Sequence, residues 1–301
     1  MAVLVALLAS RAGALEVLRL PWIFSDKPQL TADFNFSPQG RQKASAGLTH
    51  VELALGGRFS HFGLPRGAAK APELTVRCEF VSPGELVSRV ATLESKVDLS
   101  EVLAESGLKF ERRHFSASSR LVFKTEFTVN VAPGDYNVVV SIADKELSIF
   151  SSRTLHVIVP DMAASRPALS DLKFCLGVGQ ELDKQGKPRR VLDSNPWRQV
   201  GGRSGWELIV AYSALGPSLG PRLMRRVSVR KLRGEGSEKP LWQEESKAPE
   251  KSQEQLYLAR VAPKVVQGLN RGIYVLKVEL WPENRPLSVL ASSKTFEVLQ
   301  P

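Results

Sequence analysis

Apolar and polar side chains alternate with a period of two over much of this chain, the spacing of strands that bury one face. Leu30 to Phe36 sets Leu, Ala and Phe against Thr, Asp and Asn, and Leu48 to Leu55 places Val51, Leu53 and Leu55 on one side. Leu74 to Val81 is a cleaner strand, and Ser82-Pro83-Gly84-Glu85 supplies a turn. Leu86 to Val97 reads as a long strand, although a helical spacing also fits it. Asp98-Leu99-Ser100-Glu101 has the form of an N-cap for a short helix that reaches Ala104 and ends at Gly107. Leu121 to Val131 then points Leu121, Phe123, Phe127, Val129 and Val131 one way and Lys124, Glu126 and Asn130 the other. The pattern predicts antiparallel sheets, each with one wet face.

One segment occurs twice. Gly134-Asp135-Tyr136 opens an alternating run that closes at Ser151-Ser152-Arg153-Thr154-Leu155-His156-Val157, and Gly272-Ile273-Tyr274 opens one that closes at Ser292-Ser293-Lys294-Thr295-Phe296-Glu297-Val298. Each copy reads as a C-terminal β-hairpin. The offset between copies is 138 residues at the tyrosines and 141 at Thr154 and Thr295, which predicts a three-residue longer turn in the second copy. The expected fold class is all-β: two tandem antiparallel, immunoglobulin-like β-sandwich domains. Their expected bounds are 15–161 and 169–301, with a small-residue linker at 162–168.

The second half opens with Leu169-Ser170-Asp171-Leu172-Lys173-Phe174, followed by a polar excursion from Gln180 to Arg190 and the stretch Asn195-Pro196-Trp197-Arg198. Trp206, Leu208, Val210 and Tyr212 then share one strand face. The basic run Arg222 to Arg233 puts Met224, Arg226, Ser228, Arg230 and Leu232 on one face and Val227 and Val229 on the other. A turn at Gly234-Glu235-Gly236 would return Glu244 and Glu245 beside those arginines, so a self-paired hairpin is expected rather than an anion site.

A length of 301 residues and 43% apolar content suit two globular cores. Ala2 to Ala9 is wholly apolar and precedes Ala12-Gly13-Ala14, a small-x-small pattern, so residues 1–14 read as a truncated signal peptide that lacks its basic n-region. The run is too short to span a bilayer. Export to a periplasm or the medium is therefore expected. Cys78 lies on the apolar face of its strand and Cys175 follows Phe174; both read as small buried hydrophobes, with a bridge between domains left open.

Three stretches together resemble a bacterial family: Leu121 through Pro133-Gly134-Asp135-Tyr136 to Val159-Pro160-Asp161, then Leu169-Ser170-Asp171-Leu172, then Asn195-Pro196-Trp197-Arg198 with the Trp206–Tyr212 strand. The region is similar to the β-rich part that follows the von Willebrand A domain in acidobacterial VWFA-related proteins, and to the β-rich part beside the GWxTD domain of related bacteria. The resemblance spans roughly residues 48–300. Neither the Asp-x-Ser-x-Ser signature nor GWxTD is present, since Gly205-Trp206 continues as Glu207-Leu208-Ile209. It implies an exported β-sandwich module without the domain that names either family, and it carries over no functional residue.

The net charge of +10 permits attraction to acidic polymers, but no RNP-like strand, zinc-finger spacing or recognition helix accompanies it, which argues against nucleic acid. The histidines His50, His61, His114 and His156 show no metal-ligand spacing, and no nucleophile elbow or phosphate loop occurs, so no cofactor and no enzyme activity are expected. Tyr136, Tyr274 and Trp206 read as core. Trp197, Trp242 and Trp281 lie beside turns or charges and are candidate ligand-contact aromatics, while Arg226 and Arg230 are a candidate basic surface. The expected function is binding or scaffolding in a bacterial envelope, through another envelope protein at a sandwich edge or loop end. A carbohydrate-binding module is the alternative if the three tryptophans cluster, with acidic or carbohydrate polymers as ligands. A hydrolase would require a His–carboxylate pair or two carboxylates converging in a cleft.

Overall fold

The computed structural model describes residues 22–23, 30–38, 47–58, 73–83, 88–111, 113, 122–144, 149–162, 168–182, 186, 188–201, 206–215, 222–232, 239–248, 256–284 and 289–299. The expected leader at 1–14, most of the expected linker at 162–168, His61, His114 and the expected turn at 234–236 lie outside the described residues. The first half contributes β1 (Trp22–Ile23), β2 (Leu30–Pro38), β3 (Thr49–Arg58), β4 (Glu73–Ser82), β5 (Ser88–Asp98), α1 (Leu99–Glu105), β6 (Val122–Val131), β7 (Gly134–Asp144) and β8 (Ile149–Val159). They form two sheets, β1-β2-β3-β6 and β5-β4-β7-β8, whose facing sides share one core around Phe34, Phe36, Leu53, Phe80, Phe127 and Val138. Asp98 caps α1 by accepting from the Ser100 amide at 2.7 Å, and Leu99 and Leu103 of that helix are buried.

The second half contributes β9 (Ala168–Leu169), β10 (Lys173–Leu182), β11 (Pro188–Ser194), β12 (Gln199–Val200), β13 (Leu208–Leu215), β14 (Leu223–Lys231), β15 (Trp242–Lys247), β16 (Leu256–Val261), α2 (Pro263–Gln267), β17 (Gly272–Pro282) and β18 (Leu290–Val298). Its sheets run β11-β10-β13-β16 and β12-β18-β17-β14-β15, with β9 pairing β13, and enclose a separate core around Phe174, Tyr212, Tyr257, Tyr274 and Phe296. Strand order matches between halves: β2-β3-β6 corresponds to β10-β13-β16, and β5-β4-β7-β8 to β15-β14-β17-β18. The molecule is thus all-β, built of two antiparallel sandwiches of immunoglobulin-like strand order.

The repeated Gly-x-Tyr has a physical cause. Gly134 and Gly272 sit at φ 148° and 159°, a region that side-chain-bearing residues avoid. Two residues on, the Tyr136 hydroxyl donates to the Ala132 carbonyl at 2.9 Å and the Tyr274 hydroxyl to the Asn270 carbonyl at 2.7 Å. Both rings are buried. This is the tyrosine corner of immunoglobulin-like sandwiches, made twice.

Two expectations need correction. Pairing sets Gly134 opposite Val159 and Gly272 opposite Val298, so the offset on the return strand is 139 residues. The second hairpin is one residue longer than the first rather than three; the Ser-Ser-(Arg/Lys)-Thr letters align two positions away from the structural register. A two-residue slip keeps every side chain on its own face, which is why the sequence pattern conceals it. The second correction is that one face expected to be wet is not: Asp33 and Asn35, on the outward side of β2, are only 2% and 6% exposed.

Cys78 lies in the first core, whereas Cys175 joins Ile209 and Ala211 in a small apolar cluster apart from the second core. Both thiols are free, and burial pushes each up to about 12, so they stay protonated.

Candidate functional site

The second sandwich covers the outward face of β2 and, at Ala54 and Gly56, part of that of β3, and charged groups meet beneath it. Arg198 donates from Nε to Asp33 Oδ1 at 2.8 Å and also from Nη2. Lys294 Nζ lies 2.9 Å from the same carboxylate oxygen, and donates to the Phe34 carbonyl at 2.9 Å and to Asn35 Oδ1 at 2.6 Å. Beside them the Asp171 amide donates to the Phe36 carbonyl at 2.8 Å, while its carboxylate accepts from the Phe36 amide at 3.3 Å. Beyond the short β1, the second sandwich therefore satisfies backbone groups that β2 would otherwise leave open.

The turn that delivers Arg198 is locally determined. The Asn195 amide donates to the Phe174 carbonyl at 2.9 Å, and its side-chain nitrogen to the Gln199 carbonyl at 2.8 Å. Arg198 donates its amide to the Asn195 carbonyl at 3.1 Å and takes φ 49°, a left-handed conformation costly for a residue with a Cβ. Its carbonyl accepts from the Glu297 amide at 2.8 Å, which fixes the turn against β18. Pro196 and Trp197 press on β3 at Gly56, where a Cβ would come within 2.5 Å of Trp197 Cζ2 and 2.8 Å of Pro196 Cγ. Only glycine permits that approach.

Around this seam Lys173 bridges Glu52 at 2.9 Å and Glu126 at 3.2 Å, and Lys124 pairs with Asp193. His50 Nε2 lies 3.6 Å from Glu52, and its Nδ1 is 2.8 Å from Asn130 Oδ1. Burial alone would raise the Asp33 carboxyl, yet the adjacent Arg198 and Lys294 hold it below the usual range. Burial and the like charge of Arg198 bring Lys294 down to about 8 against the pull of Asp33 and Asp171. Burial likewise opposes ionisation of Glu52, but hydrogen bonding to His50 and the charge of Lys173 outweigh it and hold the group at about 2. The hydrogen bond to Glu52 raises His50. The His50–Glu52 pair is thus held at the rim of an interface by Lys173, a structural ionic network. Among the described residues, no group of three His, Cys, Asp or Glu could hold a metal ion.

The structure does not bring Trp197, Trp242 and Trp281 together. Trp197 lies on the seam over Gly56. Trp242 pairs with Val229 and packs inward against the second core. Trp281 pairs with Met224, whose position on β14 has the opposite parity, so its ring is on the outward face, 5.3 Å below the Arg226 guanidinium. The basic run forms the expected hairpin, with Arg226 opposite Glu245 and bonded to it from Nε at 2.7 Å; Glu279 lies 3.6 Å away on the other side. Arg230 shares that outward face, opposite Val275. His156 is exposed on β8.

Asp33, Asp171 and Lys294, which carry the seam, were missed as a site by sequence reasoning. One signal was available: Ala54 and Gly56 are small residues on the face of β3 that simple alternation assigns to solvent, as a covered face requires. No protein-family model matches the chain, and no curated protein matches it. Among solved structures it is similar to fibronectin(III)-like modules of Clostridium thermocellum CbhA, at 11% identity over 89% of this chain and 95% of that one, with a TM-score of 0.21.

Proposed function

We propose that the chain is an exported, non-catalytic binding or scaffolding module of a bacterial envelope, and that a partner protein adds a strand along β8. Export rests on the apolar run at 2–9, and the envelope setting on the resemblance to sandwich regions of VWFA-related and GWxTD proteins. The observation that carries strand addition is a difference between two equivalent edges. In the second sandwich the outer edge of β18 is closed by β12, with Gln199 opposite Glu297 and Val200 opposite Val298. In the first, β8 ends its sheet, and among the described residues no strand pairs with its outer edge. The strand is 11 residues long, contains no proline and no lysine, and has Arg153 as its one full charge. The edge strands β5, β11 and β15 each carry several charges, and β11 also has Pro188. Such devices discourage pairing, and β8 lacks them. The seam holds this edge in a fixed relation to the second sandwich.

The test is site-specific photo-crosslinking in a native host, with the probe at Ile158 on β8 or at Val90 on β5, both exposed. A discrete adduct with an envelope protein from the first site, absent from the second and lost in Thr154→Lys/Ile158→Lys, is expected. Cytosolic recovery of the protein, or adducts indifferent to those lysines, would overturn the reading.

A further inference from the structure

The second sandwich has a cavity of about 520 Å³ between the end of β14, the start of β15 and α2. Its floor is the Tyr274 ring, whose hydroxyl is already committed to the Asn270 carbonyl at 2.7 Å. Trp242 and Leu269 form an apolar wall packed on the core, and Leu241 stands at the mouth 57% exposed. Two cations, Lys231 and Lys264, complete the lining, and among the described residues no carboxylate joins them. Among the described residues neither lysine has an ion-pair partner, unlike Lys124, Lys173, Lys247, Lys277 and Lys294. The Lys231 stem passes close to Gly272, where a Cβ would lie 3.6 Å from its Cε, so the chain that carries this ammonium is packed rather than free.

A concave site with apolar walls and a few charged groups is the usual form of a ligand pocket. Its chemistry is selective. The exposed leucine and the indole gain by burying an apolar body. The unpaired ammonium groups gain by meeting anions. A neutral sugar would need converging donors and acceptors, and beyond the lysines and the already committed Tyr274 hydroxyl the described side chains here offer only Asn270 and the Trp242 indole N–H. We infer that the cavity binds a segment of a partner protein in which an aromatic side chain is flanked by acidic residues. The site is on the other sandwich from β8, so either can fail while the other stands.

The test is titration of the ¹⁵N-labelled full chain with a capped Asp-Asp-Trp-Asp-Asp peptide, following the indole N–H signals, with that of Trp242 assigned from Trp242→Phe. A saturable shift of the Trp242 signal is expected. Affinity should fall about tenfold or more in Lys231→Ala/Lys264→Ala, and when salt is raised from about 50 to 500 mM. Lys231→Arg/Lys264→Arg should retain binding, and the Asp-Asp-Ala-Asp-Asp peptide should lose it. No saturable shift at Trp242, unchanged affinity in the alanine pair, or equal binding of the alanine peptide would each overturn the inference. The alanine pair removes solvent-directed charge, so a preserved amide spectrum separates lost binding from lost fold.

Discussion

The carboxylate of Asp33 and the guanidinium of Arg198 come from different sandwiches and meet in the interior, each side chain 2% exposed. Removing one member of such a pair costs far more than the pair contributes, because its partner stays buried and uncompensated. Asp33→Asn strands two cations, Arg198 and Lys294, and should destabilise the protein by about 3–5 kcal/mol. Asp33→Asn/Arg198→Met, which removes charge from both sides, should be more stable than the single variant. Urea unfolding measures both, and an additive double variant would refute the coupling.

The seam also sets a pH response. Glu52 has its carboxyl held at about 2 against an ordinary 4.5, and Asp33 is lowered too. A depressed carboxyl stabilises fully above its unfolded value and loses that contribution as pH falls through the folded one. Stability should therefore fall from pH 4.5 towards 2, and Glu52→Gln should flatten part of the slope. Lys294 acts with the same sign in a higher window: at about 8 against 10.5, the folded state releases this proton first, so stability again rises as pH climbs between those values. The difference in stability between wild type and Lys294→Met should accordingly grow above pH 8, where Lys294 becomes neutral in the fold.

Tyr136 and Tyr274 give a matched pair of tests. Tyr→Phe at either site removes one hydrogen bond to a backbone carbonyl and should cost about 1 kcal/mol. Tyr→Ala also leaves a cavity and should cost about 3–5 kcal/mol. Similar costs at the two sites, read by thermal or chemical denaturation, are expected from equivalent corners.

At Gly56 the prediction concerns crowding. Gly56→Ala forces the Trp197 ring and Pro196 to move, since the new carbon would lie 2.5 Å from the ring. A loss of about 1–3 kcal/mol is expected, as for other overpacked sites. A smaller loss in the Trp197→Ala background would locate the strain at that contact.

The basic face of β14 should prove unimportant for anion binding. Arg226 is neutralised by Glu245 and Glu279 and is more than a third exposed, so its ion pairs contribute about 1 kcal/mol or less. Arg226→Ala/Arg230→Ala should change binding to anionic vesicles at low salt by less than about twofold. A large, salt-sensitive loss would instead make this strand a functional surface.

Much of the fold was legible because its causes are local. Alternation on β6, the Asp98 cap and the paired Gly-x-Tyr turns each depend on residues a few positions apart. The seam was not, because its partners are far apart in the chain: Asp33 and Arg198 are 165 residues apart, Asn35 and Lys294 259. Asp33 and Asn35 satisfy the alternation of a solvated strand and a covered one equally well. Two of the three stretches read as resembling a bacterial family, Leu169–Leu172 and Asn195–Arg198, include residues that join the two sandwiches. Whether the tryptophans cluster was not legible in the sequence, because strand parity, which sends Trp242 inward and Trp281 outward, depends on a register that only pairing with β14 fixes.

The bond from Lys294 to the Phe34 carbonyl spans 260 residues, and this has a consequence for the order of synthesis. At about 5–20 residues per second, the strand containing Phe34 leaves the ribosome many seconds before Lys294 is even made. During that interval the nascent first sandwich bears a lone carboxylate at Asp33 and an uncapped strand edge. The growing polypeptide is therefore most vulnerable to mispairing until β18 emerges, and Lys294 on that strand is among the residues that close the danger.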